Sequence, residues 1–239
     1  MTSRTTRTSR QPTRGPGLQR TAVVLVAMAA LAGCQFHPGS AAVVNGDKIS
    51  QGTIDDLVVA GCGFFKAQRA LDGGAVPSTS TAFLRNVFTG SLISFTIVDK
   101  AAAQLHLTVS RAAIASATQT PPKGMNSEDR ERLADFFADS ARSELQQAVI
   151  GAHLKDPSVT NADDVTPDDT AAAEKYLAAF TAKQHVEVNP AYGTWSGGRL
   201  LDTDGSLSKA QSSEAKSWLA LRAGNGQSVA GLPASQVCG

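Results

Sequence analysis

Paired cysteine spacings, a His-x-x-x-His step, a Gly-x-Ser-x-Gly elbow, a phosphate-cradling glycine loop and a heptad series are all missing from these 239 residues. Each absence removes a class of function. Structural and catalytic zinc need His or Cys ligands at short, repeated spacings, whereas the four histidines, His37, His106, His153 and His185, are scattered. The last three fall near expected helix C-termini, where a cation complements the helix dipole. Without a nucleophile elbow, a Walker loop or a dinucleotide fingerprint, no enzyme class has residue-level support and no cofactor is expected. Asp202-Thr203-Asp204-Gly205 is a fragment of a calcium loop without its later ligands or closing glutamate, and reads as a turn. Aromatic residues make up only 5% of the chain, and cysteine occurs three times, as Cys34, Cys62 and Cys238.

What is present begins with a leader. Arg4, Arg7, Arg10, Arg14 and Arg20 precede an apolar run over 21–32, with no acidic residue among them, and Leu31-Ala32-Gly33-Cys34 follows. Twelve residues at about 1.5 Å each fall short of a hydrocarbon layer of roughly 30 Å, so the run favours a cleaved signal over a permanent span. The four residues resemble the lipobox of bacterial lipoproteins. That resemblance implies cleavage before Cys34, a diacylglyceryl group on its Sγ, and residence on the extracytoplasmic face of the cell membrane; two acyl chains hold stably where one holds marginally. The alternatives are an ordinary secretory signal with a chance cysteine, or a buried N-terminal helix. Removing the leader takes five of 22 basic residues and none of 21 acidic ones, leaving a net charge of −4. A mildly acidic chain has no electrostatic case for nucleic acid.

Roughly 205 residues follow Cys34, enough for one sizeable core or two small ones. Residues 34–41 read as a tether with Pro38 and Gly39 as breakers. A brief strand over 42–44, an Asn45-Gly46 turn and a return into Ser50 come next. Ile54, Leu57, Val58, Cys62 and Phe65 then recur at helical spacing, in a helix over about 50–70 that Gly61 and Gly63 weaken and open to close approach. A longer helix over about 80–106 carries the stripe Leu84, Phe88, Leu92, Phe95, Val98, Ala102 and Leu105. Ser110 caps a short helix ended by Pro121-Pro122. Ser127, with Glu128, Asp129 and Glu131 behind it, begins one of about 25 residues bearing Leu133, Phe136, Phe137, Leu145 and Val149. Thr166 as N-cap and Pro167 at the first position announce a helix to about 184, with Tyr176, Leu177 and Phe180 apolar. Asp163, Asp164, Asp168 and Asp169 cluster there as solvated capping charge. Val186-Glu187-Val188 alternates as a second strand, able to pair with Val43 and Val44. Past Gly193 the chain reads as a low-order tail with a weak helix around 209–221 and a turn at Gly197-Gly198. In an oxidising envelope Cys62 and Cys238 are candidates for a disulfide closing a long loop, with two unpaired thiols as the alternative.

Three stretches together resemble the SurA N-terminal domain family of envelope chaperones, related to the foldase lipoprotein PrsA. They are Val43-Val44-Asn45-Gly46-Asp47-Lys48-Ile49-Ser50; Ala101-Ala102-Ala103-Gln104-Leu105-His106-Leu107-Thr108-Val109-Ser110, where His106 stands in a place usually held by glycine; and Val186-Glu187-Val188-Asn189-Pro190-Ala191-Tyr192-Gly193-Thr194-Trp195, where Ala191 replaces a usual arginine. The resemblance implies a mainly α chaperone domain over 42–195, behind leader 1–33 and tether 34–41 and ahead of tail 196–239. A small two-stranded sheet would join its N- and C-terminal segments. Many relatives insert a parvulin prolyl-isomerase domain of roughly 90 residues, a small-domain size. Only 19 residues separate Thr166 from Val186 and a helix fills them, so that domain has no room.

The expected role is a lipid-anchored holdase that binds unfolded or newly translocated polypeptides without a chemical step. Phe88, Phe95, Tyr192 and Trp195 are the candidate client contacts, although Tyr192 and Trp195 equally suit covering the strand end. The rivals are an accessory lipoprotein docking one dedicated envelope partner, a degenerate prolyl isomerase, and a lipid-binding role.

Overall fold

The computed structural model describes residues 38–162, 165, 167–201, 229 and 232–239. The leader, Cys34, His37, Asp163, Asp164, Thr166, the segment 202–205 and the expected helix around 209–221 lie outside the described residues.

Pro38 and Gly39 turn the chain into β1 (Ser40–Val44), which pairs antiparallel with β2 (Asp47–Ser50) across the Asn45-Gly46 turn. Both turn residues have positive φ, 50° and 94°. That is the backbone a two-residue hairpin needs to match strand twist, and Asn and Gly adopt it at least cost. β4 (Val186–Val188) joins the other edge of β1, with Val43 opposite Glu187, so the order is β2-β1-β4. The expected two-stranded sheet is therefore three-stranded, because the return from the turn is itself a strand. The tether is shorter than expected, since Ser40 and Ala41 are buried in β1.

Ser50 closes β2 and caps α1 (Gln51–Leu71), its Oγ accepting from Thr53 N–H at 2.9 Å. α2 (Thr81–Gln104) follows the two-residue strand β3 (Thr79–Ser80). Next come α3 (Arg111–Ala117), capped by Ser110, then α4 (Ser127–Lys155) and α5 (Pro167–Thr181). α4 begins at Ser127 as expected, capped by Asn126, whose Oδ1 accepts from Asp129 N–H at 2.8 Å. The molecule is mainly helical, with small sheets.

α1, α2 and α4 and the inner face of the sheet enclose the main core around Ile54, Leu84, Phe88, Ile93 and Val44. Gly61 meets α2 where a methyl would stand 3.0 Å from the Phe88 ring, the close approach expected of it. A second core joins the C-terminal half of α2 to α4 and α5 through Val98, Ala101, Ala102, Val149, Ile150 and Ala173. Of the stripe read from sequence, Leu84, Phe88, Val98 and Ala102 are buried; Thr89, Ile93, Ile97 and Ala101 add a second buried line beside it, and Leu92 and Phe95 fall to the margin. The reason is that α2 has neighbours on several sides, so its apolar arc exceeds one stripe. Among the described residues α2 is the one helix long and apolar enough to cross a bilayer, and here it packs against α1, α4 and the sheet.

The described residues after Gly193 form two further strand pairings. β5 (Thr194–Ser196) and β6 (Arg199–Leu201) form a hairpin on Gly197-Gly198, both at positive φ, which is the turn expected there. β7 (Val237–Cys238) pairs with β3. Strands of two or three residues are too short to show a period of two, which is why the sequence pattern passed over them.

Candidate functional site

The three stretches read from sequence form the structural joints of the body. Asn45 does more than turn the hairpin. Its N–H donates to the His185 carbonyl at 2.8 Å, its Oδ1 accepts from His185 N–H at 2.8 Å, and its Nδ2 donates to Gln184 Oε1. One side chain thus clasps the first turn to the chain entering β4. At the far end of the same pairing, Asn189 N–H donates to the Ala41 carbonyl at 2.9 Å, and its Oδ1 accepts from Ala191 N–H at 3.0 Å, folding Asn189-Pro190 away from the sheet.

In the second stretch His106 has φ 56°, the left-handed position just beyond α2. His106 N–H donates to the Ala103 carbonyl at 3.1 Å, and Leu107 N–H to the Ala102 carbonyl at 3.0 Å. These two bonds are a Schellman motif, in which glycine is the usual left-handed residue. Leu107 then buries beside Ala101 and Ala102 in the second core. His153, in the last turn of α4, has its Nδ1 at 2.9 Å from the Val159 carbonyl, and His185 Nε2 lies 2.7 Å from Glu187 Oε1. Among the described residues no group of three or more His, Cys, Asp or Glu is placed to hold a metal ion.

The four expected client contacts do not form one surface. Phe88 is 6% exposed, its ring edge-on to Phe136 at 5.0 Å between centroids. Tyr192 is 8% exposed beneath the Arg85 guanidinium, which lies 5.8 Å from its ring centre. Burial, reinforced by Asp55 and opposed by Arg85, pushes the Tyr192 hydroxyl above its usual range. Both residues are core, not contact surface: aromatics in a chain with few of them are drawn inward by the area they remove from water. Trp195 is half-buried against the main core. Of the four, Phe95 lines a cleft.

The cleft has a volume of about 250 Å³ and lies between β2, α2 and α4. Lys48, Ile49, Ser50 and Thr53 form one wall, Leu92, Phe95, Thr96 and Asp99 the floor, and Asp139 and Arg142 the other wall. Arg142 is held between two carboxylates, with its Nε 3.3 Å from one Asp99 oxygen, a terminal nitrogen 3.3 Å from the other, and the same nitrogen 3.1 Å from Asp139. Burial raises the Asp139 pKa above the ordinary carboxylate value; Arg142 opposes this, while Asp99 and Asp135 add to it. Asp47, beside Lys48, pairs with Lys100 of α2 and fixes β2 over the helix. Neither the charged residues of this cleft nor its wall on β2 was picked out from sequence. The Asp139–Arg142 step is visible as a helical i, i+3 pair, but its partner Asp99 comes from another helix.

Cys62 and Cys238 are joined as a disulfide, with Cα atoms 4.7 Å apart at a sequence separation of 176. The bridge ties α1 to β7 and places Cys238 in the main core. The acidic cluster departs from expectation at Asp169. It is 6% exposed and paired with Lys155 at 2.9 Å, because the close crossing of α4 and α5 carries this first-turn carboxylate inward. Comparison with family models, with curated proteins and with solved structures finds no match to this chain.

Proposed function

We propose that this chain is a cell-envelope chaperone of the SurA N-terminal type, anchored through lipid on Cys34. It holds unfolded or newly translocated polypeptides by apolar contact and performs no chemical step. The observation that carries this reading is the division of labour among the three motif stretches. Asn45 clasps the first turn to the last strand, His106 fills the left-handed joint, and Asn189 ends the pairing. Asn45 and Asn189 suit these backbone roles, and His106 takes the left-handed place that the resemblance gives to glycine. The Cys62–Cys238 bridge supports an oxidising compartment, where such bonds persist.

Client contact falls to the cleft and its margin, with Phe95 the aromatic that reaches it. Non-directional apolar contact suits varied clients. The small size of the cleft also favours a second reading, docking of one dedicated envelope partner, and crosslinking in intact cells separates the two: one stable adduct for docking, a smear for chaperoning. Prolyl isomerisation would instead speed a proline-limited refolding phase of tens of seconds, and no acceleration is expected.

The direct test is suppression of aggregation of several denatured clients at stoichiometric ratio by the purified chain, alongside metabolic labelling with a fatty acid. Incorporation lost in Cys34→Ala, with suppression by the wild type, is the expected pair of results. A protein that suppresses nothing ends the chaperone reading, and a wild type that takes up no fatty acid ends the anchor.

A further inference from the structure

We propose that the cleft receives an extended segment of another polypeptide, added as a strand to the open edge of β2. An aliphatic side chain of the segment would rest on Leu92 and Phe95, and a cationic one would turn to Asp99 and Asp139. This deepens the chaperone reading and rests on it for the identity of the guest.

The hydrogen-bonding alternation of the sheet carries the argument. The bonds from Asn45 N–H to His185 and from Asn189 N–H to Ala41 bracket Val43 opposite Glu187, so Val43 exchanges its main-chain bonds with β4. Across an antiparallel strand successive residues face opposite edges. Val43 therefore turns away from β2, and its partner Lys48 must direct its own N–H and C=O outward. Among the described residues β2 has no strand on that side. Lys48, Ile49 and Ser50 border the cleft there, with α4 as the far wall. An unpaired pair of main-chain groups beside apolar side chains, here Leu92 and Phe95, is the arrangement that captures extended peptides by strand addition, because it reads backbone and tolerates sequence.

Charge favours a cationic guest side chain. Asp99 and Asp135 both act on Asp139, with Arg142 set between the Asp99 and Asp139 carboxylates and Lys48 the other cation lining the cleft. Burial disfavours ionised Asp139, and a further cation would relieve that cost. Reach favours a chain near the membrane. Six Cα steps from Cys34 to Ser40 extend at most about 20 Å, and Ser40 pairs with Ser50 at the mouth of the cleft. An anchored Cys34 thus keeps the cleft close to where translocated chains emerge unfolded.

The test uses the purified full-length mature chain and a fluorescein-labelled eight-residue peptide alternating valine with threonine and lysine. Binding is followed by anisotropy, beside the same peptide N-methylated on alternate amides and with aggregation suppression measured on the same preparations. The expected result is binding that weakens about tenfold or more both on N-methylation of the peptide and in Lys48→Pro, which deletes the outward N–H at an edge where proline is tolerated. Val59→Thr, on an exposed turn of α1, leaves it unchanged. No binding by the wild type, or equal binding of the methylated peptide, overturns the proposal. N-methylation is read on the wild type, so a misfolded Lys48→Pro does not blur the outcome. Suppression that persists while peptide binding fails sinks the cleft and spares the chaperone reading; peptide binding without suppression does the reverse.

Discussion

Replacing Gly151 with alanine tests the packing that joins the two longest late elements of the body. Gly151 lies in α4 where α5 crosses it. A methyl there would overlap the Asp169 carbonyl oxygen, stand 2.5 Å from its carbon and lie 3.2 Å from Ala173 N. Carbon atoms in contact prefer about 3.5–4.0 Å, so one helix must retreat by roughly 1–2 Å. The atoms in the way are backbone and cannot rotate aside. Retreat would open the second core, where Val149, Ile150 and Ala173 are 0% exposed. Overpacking of this kind costs about 1–3 kcal/mol, and alanine returns about 1 kcal/mol of helix propensity. With backbone as the obstacle we place the cost at the upper end, for a net loss of roughly 2 kcal/mol. For a chain of this size that is a fall in Tm of about 4–8 °C. Urea unfolding followed by circular dichroism should show a lower midpoint at unchanged slope, and hydrogen exchange should rise first in 167–181. Gly52→Ala is the control, since its nearest neighbour outside the helix backbone is Ser50 Oγ at 3.8 Å. It should match or exceed the wild type. A Gly151→Ala protein as stable as Gly52→Ala would refute the close crossing of α4 and α5.

Three other outcomes follow from particular residues. His106→Gly should stabilise by about 0.5–1 kcal/mol in the same urea assay, because a left-handed backbone costs an ordinary side chain roughly 1–2 kcal/mol and glycine's extra chain entropy returns part of it; His106→Val should destabilise. Cys62→Ser with Cys238→Ser should lose on the order of 5 kcal/mol by the chain-entropy account of a loop this long, and dithiothreitol should lower the wild-type Tm while leaving the double variant unmoved. The Asp139 carboxyl should titrate by NMR above the ordinary aspartate value of 3.8, and Arg142→Gln should move it higher still, since Arg142 holds it down. The folded state therefore binds that proton more readily than the unfolded chain, so lowering the pH through the folded midpoint towards the unfolded one favours folding at this group. Asp139→Asn should remove that contribution and steepen acid unfolding over the same interval.

Helix existence and most caps were legible because they are written locally. Ser50 and Ser110 cap where their positions before apolar periods require, Pro167 opens α5, and the Asn45-Gly46 turn announces its hairpin. The pairing of β1 with β4 was legible only as a possibility, since two alternating triplets far apart in sequence carry no address. The Cys62–Cys238 link was narrowed by counting, there being no other cysteine beyond Cys34. What stayed hidden is what depends on rotation of one helix against another. The stripe of α2 is buried at Leu84, Phe88, Val98 and Ala102, yet Leu92 and Phe95 lie at its margin and a second buried line runs through Thr89, Ile93, Ile97 and Ala101. Successive residues lie about 100° apart round a helix, so the wider buried arc takes in Thr89, Ile93 and Ile97 and leaves Leu92 and Phe95 at the edge that borders the cleft.

The same rotation explains why the candidate client residues divided as they did. Aromatic side chains attract attention in a chain that has few, but the area that makes Phe88 and Tyr192 useful for binding also makes them the strongest drivers of burial, and nothing nearby holds them out. Phe95 is half-buried: its ring meets Phe136 of α4 at 5.6 Å between centroids, while one turn on Asp99 reaches Arg142 across the same face, and the paired charges hold the rest of that face open beside it. An ion pair whose net stabilisation is small can therefore decide whether a groove exists at all. On this argument the Asp99–Arg142–Asp139 bridge functions as a spacer, and replacing all three by apolar residues of similar size should shut the cleft while raising stability, measured as loss of peptide binding with a higher urea midpoint. Retained binding in such a variant would show that the cleft is propped open by the backbone path of β2 and α4 instead.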